Sequence, residues 1–157
     1  MCRPLLLLYS VLLFGLFQAQ EINGQDFIDR TPADITMEFI ADYKAYNEFA
    51  LASDAKHQGK KDHLIEKRYR KLIRKYCGAK NDYQGVTWGT ISNHDARYEK
   101  VVNLRFDEDI TVIVTKYFDE QNPFREADYE YHYRFKNKKW VLVEVYYIDQ
   151  DGPMRHL

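Results

Sequence analysis

The sequence is poor in the residues on which several classes of protein depend. It has only two cysteines, Cys2 and Cys77, which are too few for a disulfide framework and have no neighbours at metal-ligand spacing. No glycine-rich phosphate loop, Ser-His-Asp arrangement or metal cluster is recognisable. We expect Cys77 to pack as a small apolar residue, as free cysteines usually do. The sequence therefore predicts a protein without cofactor or metal, and not an enzyme.

The sequence also lacks an apolar run long enough for a comfortable membrane span. The run from Leu5 to Phe17 has thirteen residues, the length of the apolar region of an export signal. Arg3 supplies a basic start, and Ala19 is a small residue suited to cleavage. We predict a signal peptide over residues 1–19, a polar leader over 20–30, and a protein that is exported, periplasmic or envelope-associated. An uncleaved membrane anchor and a buried N-terminal helix are the alternatives.

A large excess of charge of one sign is missing too. The formal net charge is -1 and the pI is about 6.5, so the composition gives no overall attraction to nucleic acid. The distribution is uneven, because ten basic residues between Lys56 and Lys80 stand against Asp62 and Glu66 alone. The candidate basic face for a partner comprises Lys67, Arg68, Arg70, Lys71, Arg74 and Lys75. The rival candidates are acidic turns at Asp107, Glu108, Asp109, Asp119 and Glu120.

Aromatic residues, by contrast, make up 15% of the chain and gather in its last third. There, alternating apolar and polar residues predict four antiparallel strands. They are expected at Tyr98–Phe106, Ile110–Phe118, Ala127–Lys136 and Trp140–Ile148. Short connections at 107–109 and 137–139 suit hairpins. We therefore predict a meander with one apolar face, carrying Tyr129, Tyr131 and Tyr133, which the preceding chain covers.

Two helices are expected before this meander. Thr31 is a suitable cap for the first, with Pro32 at the first helical position and Asp34 well placed against the helix dipole. Asp62 suits the same role for the second, which should end before Gly78. The stretch from 86 to 91 is expected to form a strand or an irregular crossing. From 149 onward, we expect a turn and a short tail.

Several motifs in a fixed order narrow the fold. They are the stretches at 92–95, 98–102, 112–116, 129–133 and 140–149, which read SNHD, YEKVV, VIVTK, YEYHY and WVLVEVYYID. In this order they resemble the NTF2-fold immunity proteins of bacterial polymorphic toxin systems. The resemblance spans roughly Ile35 to Leu157. It implies an α+β domain over residues 31–157, an NTF2-like cone with N-terminal helices packed on a curved antiparallel sheet.

The same resemblance implies a function. It predicts an immunity protein that neutralises a cognate toxin domain by stoichiometric binding and catalyses no reaction. The apparent export signal is a departure, since many relatives look like plain cytosolic proteins. The sequence leaves open a homodimer through the sheet. Nucleic acid is not an expected partner, because only Tyr69 and Tyr76 interleave the basic residues.

A cone of this kind can also hold a pocket, which leaves a second function open: an exported small-molecule-binding or isomerase-like protein. The candidate pocket lining is Tyr129, Tyr131, Tyr133, Trp140 and Glu144. We expect Glu144 to share a face with Trp140, Leu142, Tyr146 and Ile148. Tyrosines at strand spacing are also typical of a core. His132 is expected on the solvent side with Asp128 and Glu130.

His94, beside Asp95, is a further residue with acid-base chemistry. Neighbours on an extended segment point apart, so the two are not expected to act as a pair. We expect a turn or loop role for His94.

Overall fold

The structure is a computed structural model that describes residues 30–57, 63–79, 85–122 and 125–157. Two helices precede a five-stranded antiparallel sheet, which confirms the α+β class. The elements are α1 (Pro32–His57), α2 (His63–Cys77), β1 (Glu99–Asp107), β2 (Ile110–Tyr117), β3 (Ala127–Lys136), β4 (Lys139–Asp149) and β5 (Gly152–Arg155). The predicted signal peptide, the leader before residue 30 and the predicted cap Asp62 lie outside the described residues. Of the described helices, neither is long and apolar enough to cross a membrane.

The sheet is a meander in which each strand pairs with the next in the order β1-β2-β3-β4-β5. Its first four strands lie where the alternation predicts them. The turn between β3 and β4 has positive φ at Asn137 (51°) and Lys138 (62°). Two such residues give a turn whose twist matches that of the flanking strands, so this hairpin is closed tightly.

The prediction of four strands followed by a turn and a tail is wrong in one respect, because β5 adds a fifth strand. It pairs with the end of β4, placing Ile148 opposite Pro153. Proline cannot donate a ladder hydrogen bond, but it is tolerated on an edge strand. Residues 86–91 take the irregular course, the second of the two expected alternatives.

Both described helix ends that carry a sequence signal behave as expected. At the start of α1, the Thr31 backbone N–H donates to Asp34 Oδ2 (3.0 Å), and the Asp34 N–H donates to Thr31 Oγ1 (3.2 Å). This reciprocal arrangement satisfies two amides that the helix itself leaves free. At the end of α2, Gly78 adopts φ 67°, and the thiol of Cys77 is buried and free of any disulfide.

One face of the sheet, which we call the inner face, is covered by α1 and α2. Tyr131 packs against Phe39 of α1 with ring centroids 5.9 Å apart. The Tyr133 hydroxyl lies 2.8 Å from Thr36 Oγ1, at hydrogen-bond distance. Tyr129, Tyr131 and Tyr133 are all buried. The tyrosine stripe therefore belongs to the core, and the space between helices and sheet is filled by the protein's own side chains.

Candidate binding surfaces and a buried polar cluster

A group of polar side chains is buried where β1, β2 and β3 meet the loop before β1. Glu99 Oε1 accepts hydrogen bonds from Thr115 Oγ1 (2.6 Å) and the Tyr131 hydroxyl (2.7 Å). Its other oxygen, Oε2, lies 2.9 Å from His94 Nδ1. All four residues are 0% exposed. Because the tyrosine gives its proton to Glu99, the Nδ1–H of His94 is the donor toward the carboxylate. We call these four residues the Glu99 cluster.

The Glu99 cluster has the composition of an acid-base site but not the access. A general acid or base must come within hydrogen-bond reach of its substrate, whereas every member is enclosed in the core. Three donors already occupy the carboxylate. A buried carboxylate is costly unless it is hydrogen-bonded, and here its donors come from β2, β3 and the loop. The cluster therefore holds the loop at residues 92–98 onto the sheet.

A bulge in β1 explains why the alternation does not reveal this cluster. Val101 pairs with Thr115, whereas Asn103 pairs with the next residue back along β2, Val114. Val102 is thus an extra residue, as in other β-bulges. It shifts the phase of the strand by one position.

Because of this phase shift, Glu99 before the bulge and Leu104 after it point to the same face of the sheet. Glu99 points to the inner face because it bonds Tyr131. Leu104 points there too, since it pairs with the buried Ile113, which in turn pairs with Tyr131. Without the bulge, Glu99 and Leu104 would lie on opposite faces. The one sequence signal available was His94 followed five residues later by a carboxylate, which is weak on its own.

A second histidine borders the cluster. The ring centroids of His156 and His94 are 5.1 Å apart, and the Nε2 atom of each is buried with no hydrogen-bond partner among the described residues. Burial, together with the neighbouring His94, lowers the pKa of His156 to about 3. Its backbone N–H donates to Val145 O (2.8 Å). A neutral imidazole is therefore held in place against β4.

A pocket of about 460 Å³ opens beside His156. It is also lined by Asn93, Tyr117, Arg125, Tyr129 and Tyr147. The Tyr129 hydroxyl donates to Asn93 O (3.1 Å), and burial raises the pKa of Tyr129. The pocket thus has aromatic walls and the guanidinium groups of Arg125 and Arg155, and it adjoins the Glu99 cluster without opening into it.

The predicted pocket-lining residues do not come together. Tyr129 borders the pocket just described, whereas Tyr131 and Tyr133 are 0% exposed in the core. Trp140 is half-buried with its ring 5.0 Å from that of Phe135. Tyr131, Tyr133 and Trp140 therefore serve packing. For the two tyrosines this is the core role that their spacing along the strand also predicted.

The prediction that Glu144 shares a face with Tyr146 and Ile148 is confirmed, but the prediction that Trp140 and Leu142 lie on that face is wrong. His132 pairs with Glu144, but the next residue of β3, Tyr133, pairs with Leu142, so β4 contains a one-residue bulge. Successive residues of β3 point to opposite faces, and so do their partners. Glu144 lies on the outer face, the side of the sheet away from the helices, where Oε2 accepts a hydrogen bond from Arg155 Nε.

The outer face is half-buried beneath charged side chains. Glu130 Oε2 accepts a hydrogen bond from Arg105 Nη2 (2.7 Å) and lies 3.1 Å from His132 Nε2. Burial alone would raise the pKa of Glu130, but the bonds from Arg105 and His132 lower it. The prediction that His132 faces away from the tyrosines is confirmed. On this face Glu130 is paired with Arg105 and His132, and Glu144 is paired with Arg155.

All six residues of the predicted basic face are exposed on α2. They border a groove of about 1170 Å³ between α1 and α2. The groove also contains apolar surface, because Leu64 is 57% exposed and the Phe49 ring lies 4.4 Å below the guanidinium of Arg68. Asp42 and Glu66 are the carboxylates that line it. Positive charge therefore predominates in the groove.

The predicted acidic turns do not form one surface. Asp107, Glu108 and Asp109 precede β2, whereas Asp119 and Glu120 follow it, so the two groups lie at opposite ends of that strand. Asp119 is also largely buried, and its Oδ1 accepts a hydrogen bond from the Gln121 N–H (3.0 Å). It stabilises a local turn.

β1 is exposed along almost its whole length. Glu99 is its one buried residue, and the remaining eight are exposed. Leu104 is 43% and Phe106 76% exposed, although both point to the inner face. The helices cover β2 to β4 and stop short of β1. Within the part of the chain that the structure describes, an apolar strip and an unpaired strand edge therefore face solvent together.

No protein-family model, curated protein or solved structure matches the chain. In the described part, no three histidine, cysteine or acidic side chains are grouped so that they could hold a metal ion. The partners of these surfaces are therefore inferred from geometry and charge.

Proposed function

We propose that the protein is a non-catalytic immunity protein that neutralises a cognate bacterial toxin domain by binding it stoichiometrically. Within the α+β class, we assign the fold to the NTF2-like cone. The predicted export signal would place the protein in the periplasm or at the envelope. The order of the sequence motifs supports this proposal, and the basic groove between α1 and α2 is the observation that carries it.

The groove has the two properties of a protein-binding surface. Its six basic side chains outnumber its two carboxylates, Asp42 and Glu66, and complementary charge speeds and orients association. Leu64 and Phe49 add apolar area that gains free energy when a partner removes it from water. We infer that the toxin presents an acidic surface with apolar residues at its centre.

The filled interior favours binding over catalysis. The inner-face tyrosines and the Glu99 cluster are enclosed, so the functional surface must be outside. The alternative function, an exported NTF2-like small-molecule-binding or isomerase-like protein, is favoured by the 460 Å³ pocket beside His156. A small molecule that raises the melting temperature of the wild type, and not of a Tyr129→Ala variant, would support that alternative.

The test of the proposal begins with the partner. The chain starting after Ala19 is used to capture proteins from extracts of its own organism, and those retained are identified by mass spectrometry. The proposal expects the C-terminal toxin domain of a large secreted protein at a one-to-one ratio. That domain, expressed in a naive bacterial host, should stop growth, and co-expression of this protein should restore it.

Charge reversal locates the binding surface within the same growth assay. Lys71→Glu combined with Arg74→Glu should reduce protection strongly, because two groove cations become repulsive. Lys136→Glu combined with Lys139→Glu makes the same change in charge on the exposed β3–β4 turn and should leave protection intact. Equal protection by both double variants would refute the groove as the interface, and a toxin unaffected by the wild type would refute the function.

A further inference from the structure

We propose that two copies of the chain associate through β1, pairing antiparallel about a two-fold axis so that the two five-stranded sheets become one. This inference is independent of the toxin-binding groove, which lies on the helices. The two edges of the sheet differ sharply in length and composition.

The β1 edge is open to pairing, and the β5 edge is not. β1 has nine residues and no proline, and its outer edge pairs with no strand among the described residues. The Leu104 N–H donates to the side chain of its neighbour, Asn103 Oδ1 (2.8 Å), a bond that a second strand would replace. Such an edge is a template for another strand. β5 has only four residues, and Pro153 removes one donor. Of the two edges, β1 alone is long enough for a stable strand pair.

Three apolar side chains of β1 are also exposed to solvent. Val101, Leu104 and Phe106 are 36%, 43% and 76% exposed and share the inner face, which the helices leave bare at this edge. A second copy placed edge to edge brings an identical apolar strip alongside the first. Since the axis is perpendicular to the sheet, both inner faces stay on the same side.

In one register of the strand pair, the apolar side chains of one copy lie opposite apolar side chains of the other. With Leu104 on the axis, it lies opposite Leu104 of the second copy. The Val102 bulge moves the residues before it by one position, which brings Phe106 opposite Val101 and Asp107 opposite Lys100 of the second copy. Apolar residues then meet on the inner face.

The outer face is matched in the same register. Lys100 and Asp107 both point to the outer face, and Lys100 of each copy lies opposite Asp107 of the other, which gives two such pairs in the dimer. Opposite charges directly across a strand pair are stabilising, and like charges are destabilising. The self-complementarity of charge is the argument for a second copy over an unrelated strand.

A charge-exchange cycle tests this register. Sedimentation velocity over a dilution series of the full chain should show a monomer–dimer equilibrium. Lys100→Asp and Asp107→Lys should each weaken dimerisation by about tenfold, because each places like charges opposite one another at two symmetric sites. The double variant K100D/D107K restores both pairs and should recover the wild-type dissociation constant. Lys136→Asp, on an exposed part of β3, is the control and should have no effect.

Cross-linking tests the axis directly. Residues opposite one another in antiparallel strands have Cα atoms about 4.5–5.5 Å apart, within the range of a disulfide. Leu104→Cys should form a covalent dimer under mild oxidation, whereas Phe118→Cys, equally exposed at 44%, should not. A monomer at every concentration, a double variant no better than the single ones, or equal cross-linking of both cysteines would overturn the proposal. Toxin protection measured on the same variants separates this outcome from that of the groove.

Discussion

β1 and β2 are adjacent strands of similar apolar content in opposite environments. Leu104 of β1 is 43% exposed, and its cross-strand partner Ile113 in β2 is 0% exposed. The two helices cover the sheet from β2 to β4 and leave β1 exposed at every residue after Glu99. Burial here is decided by how far the covering layer reaches, not by the apolar content of a strand. An apolar strand beyond that reach indicates an interface.

The largest change in the free energy of unfolding is expected for Glu99, the carboxylate buried on the inner face of the sheet. Glu99→Ala removes the acceptor shared by Thr115, Tyr131 and His94. These buried groups lose hydrogen bonds that the 3.0 Å contact between the Tyr131 hydroxyl and His94 Nδ1 replaces only in part. We expect a loss of about 3–5 kcal/mol in the free energy of unfolding, measured by urea denaturation.

Two further variants provide comparisons for the unfolding free energy of Glu99→Ala. Glu99→Gln keeps one acceptor oxygen and should fall between Glu99→Ala and the wild type. Glu120→Ala, an exposed carboxylate, should change the unfolding free energy by less than about 0.5 kcal/mol. If Glu99→Ala were as mild as Glu120→Ala, the cluster would not hold the loop.

The next largest difference in stability is expected between alanine variants of Ile113 and Leu104, which face each other across β2 and β1. Ile113→Ala should cost about 2–5 kcal/mol because it leaves a cavity in the core. Leu104→Ala, at the position opposite Ile113, should reduce the free energy of unfolding by less than about 1 kcal/mol in dilute solution. The reason is that the Leu104 side chain is already exposed to solvent in the folded monomer. Both are measured by urea denaturation at concentrations below the dissociation constant of any dimer. Similar losses would mean that β1 is covered in solution by something within a single chain.

The smallest effect is a pH dependence from His156. Its pKa is about 3 in the folded protein against an ordinary 6.5, so below pH 6.5 the unfolded chain binds a proton that the folded chain refuses. Stability is therefore complete above about pH 6.5 and falls as the pH drops toward 3. Between about pH 7 and pH 5.5 the loss should be about 1 kcal/mol.

The matched variant for this effect is His156→Gln, which is polar and does not titrate in that range. Chemical denaturation at a series of pH values should show a flatter profile for the variant than for the wild type. Identical slopes would mean that His156 is already solvated in the folded state.

Much of the fold follows from local patterns. The limits of β3, the hairpin turn at Asn137 and Lys138, and the Thr31 cap were predictable because each depends on residues within a few positions of one another. The basic face of α2 was predictable for the same reason, since charge at helical spacing fixes which residues share a side.

The rest depends on pairings between distant residues. The bulge at Val102 reverses the phase of β1, so alternation alone would separate Glu99 from the face it occupies. The bulge in β4 does the same for Glu144. β5 was missed because Gly152 and Pro153 are typical of turns, and its pairing is supplied by the end of β4. The groove between α1 and α2 also arises only when the two helices are packed.

The Glu99 cluster has a consequence for how the protein folds. Its members are brought together from the loop before β1 and from three strands, with His94 and Tyr131 separated by 37 positions. A partly assembled cluster would leave a carboxylate in the core without its donors, which is costlier than either having all of them or being solvated. The loop and the three strands should therefore dock in one step, and their amide hydrogens should exchange with solvent at a common rate set by global unfolding.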